Sequence, residues 1–152
     1  MIIDDIDRRI LRELQRDGRV QNKELAHRVG LSPSPCLRRV KLLEKARVIS
    51  RYVAVVDQTK VGLELSMFAR VWLMAQDAET IDIFIAAMRR LPEVVECYIM
   101  LGESDALLRV VVADLDDYRR FQSSHLTRKN GIQNVKTDVP SEIVKQTAAL
   151  PI

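Results

Sequence analysis

The chain has 152 residues, of which 47% are hydrophobic, which is enough apolar material for one packed domain or two small ones. No run of about 18 apolar residues could span a bilayer, and the first residues are acidic where a signal peptide is basic. We therefore expect a cytoplasmic protein with no membrane partner. Cys36 and Cys97 have no Cys or His neighbours at metal-ligand spacing, so we expect two reduced, buried thiols and no metal site.

The charge is unevenly distributed along the chain. Residues 1–60 contain 14 Lys and Arg against 8 Asp and Glu, a net charge of +6, whereas the remainder has a net charge of −3. A basic module joined to a mildly acidic one is typical of a protein whose first part alone binds nucleic acid. Charge alone does not decide this, because a basic face can also be an ordinary solvated surface.

The first sixty residues predict three short helices. Apolar residues at helical spacing predict the first over residues 5–18 and the second over residues 22–30, which ends on a glycine that easily supplies a positive φ. Ser32 is the expected N-cap of the third helix, and Pro33 and Pro35 fall in its first turn, where backbone N–H groups lack intrahelical partners. Three short helices with a glycine turn before the last predict a helix-turn-helix.

The third helix has two contrasting faces in this prediction. Cys36, Leu37, Val40 and Leu43 form an expected buried stripe, opposite a cationic side. In a helix-turn-helix the N-terminal residues of this helix lie near base edges in the major groove, and basic residues farther along contact phosphates. The predicted DNA-binding residues are Ser32, Ser34, Arg38 and Arg39 near the start of the helix, and Lys41, Lys45 and Arg47 along it and beyond it.

The second half predicts a different architecture. After a strand or extended connector at residues 49–57, the order of elements is βαββαβ, a ferredoxin-like sandwich with two helices on one face of an antiparallel sheet. Apolar residues on both sheet faces predict a dimer that covers the second face. The fold class is thus α+β, with domains at 1–60 and 61–152. The predicted strands are 65–74, 94–100, 105–112 and 132–139, and the predicted helices are 78–91 and 114–126.

A polar turn interrupts the apolar hairpin between the second and third of these strands. It contains Gly102, Glu103, Ser104 and Asp105. One interpretation is that this segment is a simple turn that joins the two strands. Its carboxylates and free backbone N–H groups can also hold the ammonium and carboxylate of a small amino acid.

Two motifs, one in each half of the chain, resemble those of the Lrp/AsnC family of regulators. The effector loop of the family is similar to Gly102-Glu103-Ser104-Asp105-x-Leu107-Leu108. Its DNA-binding signature resembles Asp17-Gly18-Arg19 followed by Glu24-Leu25-Ala26-x-x-Val29-Gly30-Leu31-Ser32-Pro33-Ser34-Pro35-Cys36-x-x-Arg39-Val40-x-x-Leu43-Glu44. The resemblance extends from Ile6 to about Val144.

The resemblance implies dimers joined through the sheet domain, association of these dimers into octamers, and amino-acid effectors bound between dimers near the loop. It adds Thr137 to the expected effector site. Family members usually have glycine where Arg47 stands here, and aromatic residues where Ser104 and Ala106 stand. Smaller side chains at these two positions favour a larger apolar effector, leucine or methionine.

The sequence therefore predicts a DNA-binding transcriptional regulator with an amino-acid effector and no other cofactor. An alternative is an architectural protein that wraps DNA with little sequence preference. An enzyme is poorly supported, since His27 and His125 belong to no recognisable acid–base or nucleophile arrangement.

Overall fold

The computed structural model describes residues 2–152, which form two compact units. The first unit comprises the chain up to Val55 together with Lys145–Ile152, and the second comprises Val56–Val144. The sequence placed the boundary at residue 60 and assigned the C-terminal residues to the second domain. In the structure the last eight residues belong to the first unit, where the Gln15 carboxamide accepts a hydrogen bond from the Leu150 N–H (2.6 Å) and donates one to the Leu150 carbonyl (3.2 Å).

The first unit is built from the three predicted helices. They are α1 (Asp5–Arg16), α2 (Asn22–Val29) and α3 (Pro33–Lys45). At the start of α1 a capping box forms, because the Asp4 carboxylate accepts from the Asp7 N–H and the Asp7 carboxylate accepts from the Asp4 N–H. One apolar core joins the three helices, and its buried members are Ile10, Leu25, Ala26, Val29, Cys36 and Leu43.

Two of these helices end in the same hydrogen-bonded turn. After α2, Gly30 has a φ of +73°, its N–H donates to His27, and the Leu31 N–H donates to Ala26. After α3, the Arg47 N–H donates to Glu44 and the Val48 N–H donates to Leu43. Both are Schellman turns, which require a left-handed residue. Arg47 takes that position with a φ of +55°, alone among the non-glycine residues of the described chain.

The second unit has the predicted βαββαβ order and the α+β fold class is confirmed. Its four antiparallel strands lie in the order β2-β3-β1-β4. The elements are β1 (Leu65–Leu73), α4 (Ala78–Met88), β2 (Val94–Ile99), β3 (Ala106–Val112), α5 (Leu115–His125) and β4 (Ile132–Asp138).

The two faces of the sheet differ. Alternate residues of β1 and β3, including Met67, Val71 and Leu108, are buried with Phe84 and Phe121 of the helices in one core. The opposite face mixes apolar side chains with ion pairs, at Arg70–Asp138 (2.9 Å) and Arg109–Glu96 (2.9 Å). This is the face for which the sequence predicts a second sheet.

One local expectation differs from the structure, and one alternative is resolved. Cys36 is buried, but Cys97 is exposed, because β2 is an edge strand of the sheet. Of the two alternatives given for residues 49–57, a strand or a connector, the structure has the connector, since no strand forms there within residues 2–152. None of the described helices combines the length and apolar character needed to cross a bilayer.

The left-handed Arg47 leads to a stability prediction. A left-handed backbone costs a non-glycine residue about 1–2 kcal/mol, whereas glycine adds about 0.5–1 kcal/mol of backbone entropy to the unfolded chain. Arg47→Gly should therefore raise the free energy of unfolding by about 0.5–1 kcal/mol, measured by urea titration. Arg47→Ala is the control, because it removes the charge but keeps the left-handed strain. Equal stability of the two variants would contradict the prediction.

Candidate nucleic-acid interface and effector loop

The outer face of α3 gathers four of the predicted DNA-binding side chains. Ser34, Arg38, Lys41 and Lys45 are all exposed, and their spacing places them on one side of the helix. They line a shallow groove together with Leu37 and Leu42. No salt bridge within residues 2–152 involves the three cations of this face, so their charge is available to a polyanion.

The start of α3 is fixed by a side chain of α2. The Asn22 carboxamide donates a hydrogen bond of 2.8 Å to the Pro33 carbonyl. Ser32 occupies the N-cap position, as predicted, but its hydroxyl makes no capping hydrogen bond. This hydroxyl is exposed and free to contact a ligand, while Arg47 lies beyond the other end of the helix.

Arg39 is held differently from its neighbour Arg38. Its Nη1 donates to the Asp4 carboxylate and to the Asp7 carboxylate, each at 2.8 Å, and the Asp7 side chain is only 4% exposed. The guanidinium therefore ties α3 to the beginning of α1. The predicted base contact by Arg39 does not fit this arrangement, because a contact with guanine would have to break two charge-assisted hydrogen bonds and leave a buried carboxylate unpaired.

The same cluster lowers the pKa of Asp4. The Asp7 N–H and then the Arg39 guanidinium hold the pKa of Asp4 below its ordinary value of 3.8. A lowered pKa means that the folded state favours the ionised carboxylate. The resulting stabilisation is present above pH 3.8 and is lost as the pH falls through the lower, folded-state pKa.

Leu37 is a second departure from the sequence prediction. The expected buried stripe is confirmed for Cys36 and Leu43, both of which are fully buried, but Leu37 is 42% exposed and lines the outer groove. Leu37 lies about 100° around the helix from Cys36, at the edge of the apolar stripe. The outer face of α3 therefore mixes cations with apolar side chains.

The loop predicted to hold an effector is internally braced. The Asp105 carboxylate accepts from the Leu73 N–H and from the Gln76 carboxamide, each at 2.8 Å. The Trp72 indole donates to the Glu103 carbonyl at 2.8 Å. Both oxygens of Asp105 are thus already used to attach the loop to the end of β1.

Other groups of the loop remain available. Gly102 and Glu103 are exposed, no side chain or backbone lies near the Cα of Gly102, and the Glu103 carboxylate makes no hydrogen bond within residues 2–152. Ser104 is 8% exposed. The open side of the loop therefore offers one free carboxylate and backbone groups, which suit an ammonium and a carboxylate.

Thr137 is not brought to this loop. Its hydroxyl shares a hydrogen bond of 2.5 Å with the buried Tyr118 of α5, where burial raises the pKa of the phenol. Thr137 pairs with Ala69, whereas Asp105 bonds to Leu73, four residues farther along β1. This places the two predicted effector residues about 13 Å apart along the strand direction within one chain.

Ala106 does not border the open side of the loop. It is fully buried and belongs to the core between the sheet and the helices. Its small size therefore leaves no extra room at the loop, and the preference for leucine or methionine cannot rest on this position.

Known families cover both units. Residues 3–50 match a winged helix-turn-helix DNA-binding model, and residues 66–150, more than half of the chain, match the Lrp/AsnC ligand binding domain. The chain belongs to the Lrp/AsnC family. It is a DNA-binding transcriptional regulator with a ligand-binding domain, as the sequence predicts.

Several relatives align along the whole chain. The transcriptional regulator AzlB of Bacillus subtilis is 36% identical over 152 residues, covering 100% of this chain and 97% of its own. The leucine-responsive regulatory protein of Escherichia coli K12 is 39% identical over 150 residues, covering 99% and 92%. The structure resembles a transcriptional regulator from Neisseria meningitidis in complex with L-Met, with 37% identity, a TM-score of 0.95 and coverage of 99% and 97%.

Sequence reasoning missed the residues that position α3. Asp4 and Asp7 are visible as acidic residues at the start of a helix, a signal that indicates capping, but not as partners of an arginine more than thirty residues later. Leu37 was assigned to the core. Helical periodicity places Arg38 on the cationic side and Arg39 on its flank, but it does not show that Arg39 is bound by Asp4 and Asp7.

The Arg39 cluster leads to a second stability prediction. Arg39→Ala removes the cationic partner of the buried Asp7, so it should lower the free energy of unfolding by about 1–3 kcal/mol. Arg38→Ala is the matched control, because Arg38 is exposed and outside every salt bridge of the described chain. It should change stability by less than about 0.5 kcal/mol. Urea titrations of both variants give the answer, and equal losses would refute the positioning role of Arg39.

Proposed function

We propose that the outer face of α3 reads DNA in the major groove and that an apolar amino acid, leucine or methionine, controls this activity by binding at the loop of residues 102–105. The observation that supports the first part is the cation set of Arg38, Lys41 and Lys45, which is exposed and outside every salt bridge of the described chain. The proposed role is regulatory and not catalytic, with action on DNA in the cytoplasm.

The DNA contacts divide into two kinds in this proposal. Arg38 lies near the start of α3, where it can pair with a guanine through two hydrogen bonds, and Ser34 lies one turn earlier. Ser32, Lys41, Lys45 and Arg47 contact phosphates, which position the protein without reading sequence. Arg39 orients the helix from the opposite side and contacts no base.

The effector proposal uses the free groups of the loop. Glu103 binds the ammonium group of the amino acid, and the open backbone at Gly102 receives its carboxylate. Asp105 supports the loop, and Ser104 lies beneath it. Leucine and methionine are favoured because relatives 39–40% identical are leucine-responsive regulatory proteins and a similar structure contains L-Met.

The assembly proposal uses the second face of the sheet. Phe68, Trp72 and Tyr98 lie on this face beside the ion pairs, and none of them belongs to the core between the sheet and the helices. A dimer covers the face, and association of dimers into an octamer brings effector loops together. Thr137 takes part in the effector site only through such an assembly, because within one chain it lies away from the loop.

Competition gel shifts test the DNA part. The full chain should prefer DNA from its own promoter over random duplex, and Arg38→Ala should reduce this preference about fivefold or more, since one bidentate base contact is worth about 1–3 kcal/mol. Arg90→Ala, which removes an exposed arginine of the second unit, is the control and should leave the preference unchanged. If the wild-type affinities for promoter DNA and random duplex are nearly equal, the result would instead favour the DNA-wrapping alternative.

A thermal-shift screen of the twenty amino acids tests the effector part. A ligand present at a hundred times its Kd should stabilise the native state by about 2.7 kcal/mol, and we expect this from leucine or methionine. Glu103→Gln should abolish the shift, because it removes the charge that pairs with the ammonium.

The matched control for this variant is Glu64→Gln, which changes another exposed carboxylate of the same unit. It should retain the full shift. A ligand-induced shift that survives Glu103→Gln would exclude the proposed ammonium contact.

A further inference from the structure

Leu37 is an apolar side chain placed among cations on the outer face of α3. Ser34 precedes it by three residues and Lys41 follows it by four, so the three side chains lie in one row along the helix, with Arg38 beside them. Its 42% exposure leaves a branched apolar side chain in water. A ligand that presents an apolar group to this face would remove the Leu37 side chain from water.

The charge around Leu37 defines the chemistry of that ligand. Arg38, Lys41 and Lys45 lie outside every salt bridge of residues 2–152, and no acidic side chain lines the groove. The matching surface must be strongly anionic and must also offer apolar contacts. The major groove of DNA meets both conditions, because phosphates flank it and each thymine exposes a C5-methyl group there.

Position along the helix separates Leu37 from the second exposed leucine of this face. Leu37 is the fifth residue of α3, within the part of a recognition helix that lies near base edges. Leu42 is similarly exposed, at 48%, but lies about 7.5 Å farther along the axis. Leu37 is thus placed at the bases, beside Arg38, and Leu42 toward the phosphates.

We propose that Leu37 is a specificity-determining residue that packs on the C5-methyl group of a thymine adjacent to the base contacted by Arg38. This inference rests on the proposed binding of α3 in the major groove. It adds that each half-site contains a thymine recognised through its methyl group alone. Cytosine and uracil lack that methyl group, so the site distinguishes them from thymine without a hydrogen bond.

Single thymine-to-uracil replacements test the proposal, since they remove only the methyl group. The probe is a duplex selected by the full-length wild-type protein from a random-sequence library, in which each thymine is replaced in turn. In each half-site there should be one thymine whose single replacement weakens wild-type binding about fourfold, which is the contribution of one buried methyl group. The same replacement should have no effect on Leu37→Ala or on Leu37→Asn, which keeps the number and branching of the side-chain heavy atoms but replaces the two methyl groups with polar ones.

Leu42→Ala is the matched control and should retain the full effect of uracil. Thermal melting confirms that each variant is folded. A consensus with no uracil-sensitive thymine, or with an equal uracil effect in the Leu37 variants, would overturn this inference but leave the proposed function intact. A library that yields no consensus would overturn both.

Discussion

The ion-pair cluster between Arg39 and the carboxylates of Asp4 and Asp7 determines how the DNA-binding unit presents its third helix. Asp7 is almost fully buried, and it is tolerated as a charged group only because Arg39 and the capping N–H of Asp4 satisfy it. The same contact ties α3 to the start of α1. With Arg39 turned inward, the opposite side of α3 is left with three cations outside every salt bridge of the described chain.

The effector loop also has one acidic residue that supports its structure and one that is exposed. Asp105 is used internally to attach the loop to β1, whereas Glu103 is left exposed. In both places one charged residue supplies rigidity and a neighbour of similar chemistry supplies the ligand contact. Rigid support of this kind reduces the entropy that ligand binding must offset.

The sequence predicted the elements well because local signals specify them. Gly30, Ser32 and Pro33 mark the turn before α3, and alternating apolar residues mark β1 and β3. Side-chain roles were harder to predict, because they depend on contacts between distant residues. Arg38 and Arg39 differ by about 100° of helix rotation, which the apolar stripe of α3 reveals, but the ion pairs of Arg39 with Asp4 and Asp7 come from a distant part of the chain. Thr137 was assigned by resemblance, and the structure places its hydroxyl against Tyr118.

The salt dependence of DNA binding tests most directly whether Arg39 holds the helix while Arg38 contacts DNA. The slope of log Kd against log salt concentration counts the phosphate charges that the protein neutralises. At temperatures where both variants are fully folded, Arg39→Ala should leave this slope unchanged, because Arg39 neutralises no phosphate, whereas Arg38→Ala should lower the base preference. A slope reduced by about one in Arg39→Ala, or an unchanged base preference in Arg38→Ala, would contradict the assignment.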